Sequence, residues 1–82
     1  HPSADPKALT TAILRGAFEY QGQKCSAASR AYVPSNLWAK IKDELLSEVA
    51  AMKMGDPRDF SSFMGAVIDE GASRDHSGAI DE

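Results

Sequence analysis

Apolar side chains recur at helical spacing near the start of the chain and predict a helix over residues 5–20. The stripe consists of Leu9, Ala12, Ile13, Ala17 and Tyr20. Asp5 supplies a side-chain acceptor at the N-cap, and Pro6 suits the first helical position because a proline there loses no hydrogen bond. Gly22 can close the helix in a left-handed conformation. This first element therefore has a start signal, an apolar face and a stop signal.

A second stripe predicts a longer helix over residues 36–53. It consists of Leu37, Ile41, Leu45, Val49 and Met52. Ser35 is the expected N-cap, and the sequence Gly55-Asp56-Pro57 ends the helix. This is the clearest element of the chain.

The remaining pattern is weaker and predicts one short strand, a short strand or loop, and a last helix. Residues 29–33 alternate polar and apolar side chains and indicate a strand that Pro34 stops. Residues 66–68, Ala-Val-Ile, form a short apolar stretch, and a helix beginning near Asp69 runs towards the end despite Gly71 and Gly78. The predicted fold class is α/β, in the order helix, cysteine loop, strand, helix, short strand or loop, helix.

The predicted elements include too few strands for a complete sheet, because one convincing strand cannot form a sheet alone. The helices also present apolar stripes without a sheet to cover. We therefore expect residues 1–82 to be a single, incomplete domain excised from a longer protein. For the same reason we expect the isolated chain to be partly unfolded or prone to aggregation.

Composition narrows the class of partner. The 82 residues carry a net charge of −3, whereas nucleic-acid binders normally show a basic patch. The apolar stretches are too short to span a bilayer, so no membrane partner is expected. A single cysteine excludes an intramolecular disulfide and fits a reducing compartment. His76 has no second ligand three or four residues away, so the sequence predicts no metal site.

Cys25, the one cysteine of the chain, has two interpretations. A lone cysteine is usually a small buried residue, since free cysteine is among the most buried residue types. Here it follows the polar turn Gly22-Gln23-Lys24, where a side chain would be partly exposed. The Lys24 cation favours the thiolate, and the Cys25 backbone N–H could donate to an oxyanion. No base for the thiol is evident, because the two histidines lie near opposite ends of the chain. A nucleophile and a packing residue both remain open.

Residues 18–27, with the sequence FEYQGQKCSA, resemble the active-site cysteine signature of the aldehyde dehydrogenase superfamily. That signature has an aromatic residue, then Gly-Gln-x-Cys, then small residues. The surrounding sequence resembles that of one branch of the superfamily, the 1-pyrroline-5-carboxylate dehydrogenases, also called L-glutamate γ-semialdehyde dehydrogenases. The matching segments include RGAFEYQGQKCSAASRAYVP and DFSSFMGAVID. The resemblance covers nearly the whole chain and fades over residues 71–82. It implies that the chain is an internal fragment of the aldehyde dehydrogenase catalytic domain.

The resemblance implies an NAD-dependent enzyme of proline catabolism that oxidises L-glutamate γ-semialdehyde to L-glutamate. Cys25 matches the nucleophile, which forms a thiohemiacetal and then a thioester with the substrate. Ser26 matches a position that helps to hold the α-carboxylate of the substrate. Lys24 can add positive potential for that carboxylate, with a solvated lysine as an equal alternative. The Cys25 backbone N–H matches half of the oxyanion hole.

The resemblance also implies that other parts of the enzyme lie outside these residues. The family's general base belongs to an E-x-G-G-K motif before His1, and a glutamate that contacts the nicotinamide ribose belongs to an E-x-F-G-P motif further on. No glycine-rich phosphate cradle occurs among the 82 residues. NAD would therefore be bound mainly elsewhere, and we expect the fragment alone to be inactive.

The whole enzyme would be an intracellular homo-oligomer in the bacterial cytoplasm or the mitochondrial matrix, acting on a small aldehyde. Two alternatives stay open. One is an aldehyde dehydrogenase with a different substrate. The other is a small non-catalytic helical module, in which Cys25 is a packing residue and the second helix binds a partner.

Overall fold

The computed structural model describes residues 1–81, which form three helices joined by irregular segments. Helix α1 spans Pro6–Phe18, α2 spans Ser35–Ala51 and α3 spans Glu70–Asp81. A tight turn over Glu19–Gly22 follows α1 and leads into the loop that carries Cys25. α1 packs against α2, so this helix pair is the frame from which the cysteine loop extends.

The predicted α/β order needs correction, because no strand forms within residues 1–81. The one β-bridge there is isolated and parallel, between Met54 and Met64. The strand expected over residues 29–33 is an irregular segment, and residues 66–68, expected to be a short strand or a loop, are irregular as well. A strand exists through pairing with a neighbour, and neither segment has such a neighbour in the described part of the chain.

Helix α1 begins where the sequence predicts. Asp5 is its N-cap, with Ala8 N–H donating to Asp5 Oδ1 at 2.8 Å, and Pro6 occupies the first turn. The helix ends at Phe18 rather than at Tyr20, because Glu19 leaves the helical conformation with ψ of 137° and Tyr20 then has a positive φ. The stop therefore comes before the expected Gly22.

The bounds of α2 differ slightly from the expected ones at both ends. Ser35 is its first helical residue rather than its N-cap; Pro34 occupies the cap position, without a side-chain hydrogen bond. The Pro34 carbonyl instead accepts from the N–H groups of Leu37 and Trp38, both at 2.9 Å. The helix ends at Ala51, and its stripe buries Leu37 and Ile41.

The last helix, α3, confirms the helix expected near Asp69; Glu82 lies outside the described residues. Asp69 caps it, since Ala72 N–H donates to Asp69 Oδ1 at 2.8 Å. Arg74 and Glu70 form an ion pair one turn apart, at 2.9 Å. These local interactions stabilise a helix whose sequence includes two glycines.

Few apolar side chains are buried. Leu37 and Ile41 are 2% and 0% exposed, and Thr10 is the buried residue of α1. Several large apolar side chains are 83–97% exposed, namely Tyr32, Phe60, Ile68 and Ile80. None of the described helices is both long enough and apolar enough for a membrane span. The chain thus leaves in water much of the apolar surface that a complete domain would cover.

We expect the isolated chain of 82 residues to lose its structure over a broad temperature range, without a cooperative transition. Its core is so small that burial contributes little free energy against the loss of conformational entropy. Far-ultraviolet circular dichroism during heating measures this, with sedimentation analysis to establish that the sample is monomeric. A sharp cooperative transition in the monomer would contradict the prediction.

Candidate functional site

Three consecutive residues with positive φ turn the chain at the end of α1. Tyr20, Gln21 and Gly22 have φ of 56°, 59° and 69°, and Gln23 N–H donates to Tyr20 O at 3.1 Å. Glycine adopts this conformation readily, whereas each of the other two residues costs roughly 1–2 kcal/mol. A β-carbon on Gly22 would also lie 2.9 Å from the Ala17 carbonyl oxygen. The turn therefore requires glycine at this position.

Cys25 is exposed in the short loop that follows this turn. Ala27 N–H donates to Lys24 O at 3.0 Å, so that the chain turns again around the cysteine. Ala28 N–H then donates to Gly16 O on α1 at 2.9 Å. The loop is thus fastened at its far end to the helix from which it departs. An exposed thiol is what the catalytic interpretation requires and the packing interpretation does not.

The loop tip presents several groups to solvent. Within residues 1–81, the backbone N–H groups of Cys25 and Ser26 donate to no protein acceptor, and no side chain hydrogen-bonds the Cys25 thiol. Ser26 is exposed beside the cysteine. A molecule that approaches from solvent therefore meets a thiol group, two N–H donors and one hydroxyl group.

Lys24, the residue before the cysteine, is paired with Glu19. Lys24 Nζ and the Arg15 guanidinium each lie 2.6 Å from a different carboxylate oxygen of Glu19. The hydrogen bond and charge of Lys24, followed by the charge and hydrogen bond of Arg15, hold the pKa of Glu19 below its ordinary value. The Lys24 ammonium is thus directed to Glu19, and its charge is compensated there.

Gln21 and Gln23 tie the cysteine loop to a distant segment, although the sequence predicted no role for either; Gln23 appeared there only as part of the Gly-Gln-x-Cys signature. Gln23 Oε1 accepts from Ile68 N–H at 2.9 Å. Gln21 Oε1 accepts from Gly65 N–H at 3.0 Å and Gln21 Nε2 donates to Tyr20 O at 3.0 Å, in the amide orientation that satisfies both groups. The available signal in the sequence was a pair of amide side chains flanking a turn glycine. Nothing in the sequence indicated their partners.

A cleft of about 590 Å³ lies beside the loop, bounded by the end of α1, by residues 64–67 and by α3. Lys24 and His76 line it, whereas Cys25 and Ser26 do not. The structure therefore does not bring His76 to the thiol, and no base contacts it among residues 1–81. In the same part of the chain, no three His, Cys, Asp or Glu residues lie together as a metal site would require.

Comparison with known proteins gives one family for the whole sequence. The model of the aldehyde dehydrogenase family matches residues 1–82. The chain is 60% identical, over 70 residues, to the mitochondrial delta-1-pyrroline-5-carboxylate dehydrogenase of Dictyostelium discoideum, covering 85% of this chain and 12% of that protein. It is 56% identical, over 70 residues, to the human protein of the same name, covering 84% of this chain and 12% of that protein.

A solved structure shares the fold of the chain. The delta-pyrroline-5-carboxylate dehydrogenase from Mycobacterium tuberculosis bound with NAD superposes with a TM-score of 0.91 at 48% identity. The match covers 99% of this chain and 15% of that one. The chain thus has the fold of one part of an aldehyde dehydrogenase, and it spans 12–15% of the length of these relatives.

We expect Lys24→Met to raise the pKa of Glu19 towards its ordinary value of 4.5, and to raise it more than Arg15→Met does. The reason is that the hydrogen bond and the charge of Lys24 lower this pKa more than those of Arg15. A carboxyl group whose pKa is lowered by folding stabilises the folded state above its unfolded pKa. That contribution is lost as the pH falls through the lower, folded value. The ion pairs should therefore loosen on acidification below about pH 4.5.

An NMR titration of the Glu19 carboxyl carbon in the full-length protein that contains these residues gives the pKa in both variants and in the unsubstituted protein. A larger increase in Arg15→Met than in Lys24→Met would contradict the assignment of the main interaction to Lys24.

Proposed function

Because the chain belongs to the aldehyde dehydrogenase family, we propose that it is the nucleophile-bearing part of a longer NAD-dependent dehydrogenase. Its substrate is L-glutamate γ-semialdehyde, the open form of 1-pyrroline-5-carboxylate, which it oxidises to L-glutamate. The observation that carries the proposal is the exposed thiol of Cys25 in a loop fastened to α1. The identity of 48–60% to proteins named for this dehydrogenase supports the choice of substrate.

In the proposed reaction, the Cys25 thiolate adds to the aldehyde carbon and forms a thiohemiacetal. NAD⁺, held by other parts of the longer protein, would supply the acceptor for the hydride that this carbon loses, and Cys25 would then carry the product as a thioester. Water then displaces the sulfur, so that the carboxylate product is released and the thiolate is restored. Cys25 thus divides one oxidation into an addition, a hydride transfer and a hydrolysis.

The residues described here do not make a site for NAD. They include no glycine-rich phosphate loop. The N-termini of α1 and α3 are closed by the side chains of Asp5 and Asp69, which would repel a phosphate. We therefore assign the cofactor site, and the base that activates the water, to other parts of the longer protein.

The oxygen of the thiohemiacetal needs hydrogen-bond donors as negative charge develops on it. The Cys25 backbone N–H donates to no protein group within residues 1–81, so it is available for that oxygen. Such a donor stabilises the transition state more than the ground state, because the charge is greater there. We assign the Cys25 N–H to this role.

Ser26 and Lys24 are assigned to the α-carboxylate of the substrate. The exposed Ser26 hydroxyl stands next to the cysteine and can donate to a carboxylate. Lys24 adds a positive charge. Its ammonium is paired with Glu19 at 2.6 Å, so it is less available to bind the carboxylate of the substrate. We therefore assign the larger contribution to Ser26.

The proposed enzyme works as a homo-oligomer in the mitochondrial matrix or in a bacterial cytoplasm. Relatives from Dictyostelium and from humans are named as mitochondrial proteins, and one related structure is bacterial. The exposed thiol of Cys25 fits either compartment, because both are reducing.

We expect Cys25→Ser, in the full-length protein that contains these residues, to lower turnover of glutamate γ-semialdehyde by roughly 10³-fold or more, since the nucleophile is lost. In the unsubstituted protein, the aldehyde should slow alkylation of Cys25 by iodoacetamide, because both reagents compete for the same sulfur. Absorbance of NADH and mass spectrometry of the alkylated peptide measure the two effects. Normal turnover by Cys25→Ser would favour the packing interpretation.

We expect Ser26→Leu to raise the KM for glutamate γ-semialdehyde by about 10-fold or more, since a hydrogen bond to a charged group is lost. The KM for a simple aldehyde without a carboxylate should stay nearly unchanged. Ser29→Leu is the matched control, because Ser29 is exposed in the same loop region and has no assigned role. If Ser26→Leu leaves the KM for glutamate γ-semialdehyde unchanged, the alternative of a different aldehyde substrate is favoured.

A further inference from the structure

Gln21 and Gln23 connect the strained turn before Cys25 to residues 65–68. The hydrogen bond from Ile68 N–H to Gln23 joins residues 45 positions apart. Gln21 forms hydrogen bonds to both segments: it accepts from Gly65 N–H in the distant segment and donates to Tyr20 O in the turn itself. Two side chains on either side of Gly22 therefore hold the same turn against one stretch of backbone.

That stretch is itself anchored. Gly55 N–H donates to Met64 O at 3.0 Å, and Phe63 N–H donates to Lys53 O at 2.8 Å. Lys53 Nζ also bonds Asp59 at 2.9 Å. Residues 53–64 thus form a closed loop at the end of α2, and the segment that Gln21 and Gln23 bind leaves directly from it.

The contact between Gln21 and Gly65 leaves little room for a side chain at Gly65. Gly65 is buried, and a β-carbon there would lie 3.1 Å from the end of the Gln21 amide and 3.5 Å from Gly55 O. Gln21 therefore packs on the Gly65 backbone as well as bonding it. Its own left-handed backbone, with φ of 59°, is unfavourable for a non-glycine residue. The side-chain contacts are the interactions available to keep it there.

We propose that Gln21 and Gln23 are positioning residues, which hold the left-handed turn against residues 65–68 and thereby fix the orientation of the Cys25 thiol. This inference rests on the proposed role of Cys25 as nucleophile. Gln23 stands two residues before Cys25, so a change in the turn moves the sulfur directly. Neither glutamine touches the substrate in this account; both act through the backbone that carries the cysteine.

The test compares Gln23→Leu with Gln23→Glu, and adds Gln21→Leu, in the full-length holoenzyme. Gln23→Leu removes the acceptor for Ile68 N–H, whereas Gln23→Glu keeps an acceptor of the same length. We expect each leucine variant to lower kcat about 10- to 100-fold, as a small misplacement of a reacting group does. The KM should change less than about threefold, and Gln23→Glu should recover kcat to within roughly threefold, because the hydrogen bond is kept.

Asn36→Leu is the matched control. Asn36 Nδ2 donates to Pro2 O at 3.3 Å, so this variant also removes one amide-to-backbone hydrogen bond between separate segments, away from the cysteine. We expect its kcat to stay within about twofold of the unsubstituted enzyme. The single-turnover rate of NADH formation, measured in the same variants, should follow kcat.

Each outcome decides the proposal. If Cys25→Ser abolishes turnover while both leucine variants keep a normal kcat, the positioning role of the glutamines is wrong and the proposed function stands. Equal losses in Gln23→Leu and Gln23→Glu, or a loss confined to KM, would also overturn it. If Gln21→Leu does not fold, the comparison of Gln23→Leu with Gln23→Glu decides. If Gln23→Leu does not fold either, the glutamines are needed for folding and the proposal fails. Normal turnover by Cys25→Ser removes the premise and with it the proposal.

Discussion

The position of Cys25 depends on the left-handed turn over Glu19–Gly22. Without this turn, α1 would continue and the cysteine would follow the course of the helix. Instead the chain reverses, and Ala28 N–H fastens it back to Gly16 O at 2.9 Å. The reversal is unfavourable for the backbone at two of its residues, and it is kept by contacts from the surroundings. An exposed sulfur with available N–H donors is the result.

The same structure explains why the chain needs the rest of a protein. Its buried apolar core consists of Leu37 and Ile41, while other large apolar side chains such as Phe60 stay in water. The chain presents an exposed thiol, the proposed nucleophile, with the Ser26 hydroxyl beside it. It supplies neither a base in contact with the thiol nor a cradle for a dinucleotide within the described residues. The local geometry around Cys25 is therefore specified in detail by a stretch of chain that buries little apolar surface of its own.

Local signals predicted much of this arrangement, and contacts between distant residues account for most of what they missed. The N-cap at Asp5, the apolar stripe of α2 and the exposure of Cys25 in a polar turn all depend on near neighbours, and each could be inferred from the sequence. The strand expected over residues 29–33 could not be judged in this way, because a strand depends on a partner elsewhere in the chain. The hydrogen bond from Ile68 to Gln23 spans 45 positions, so no local pattern reveals it. The pairing of Lys24 with Glu19 is nearer in sequence, but it depends on how the turn folds between them.

Direct detection of the covalent intermediate on Cys25 is the simplest test of whether this cysteine is the nucleophile. The full-length protein would be mixed with glutamate γ-semialdehyde and NAD⁺, quenched in acid within a turnover, digested and examined by mass spectrometry. The account predicts an acyl adduct on the peptide that contains Cys25, and none when the aldehyde is omitted. Steady turnover of the aldehyde by a protein whose quenched Cys25 peptide never carries the adduct would contradict it.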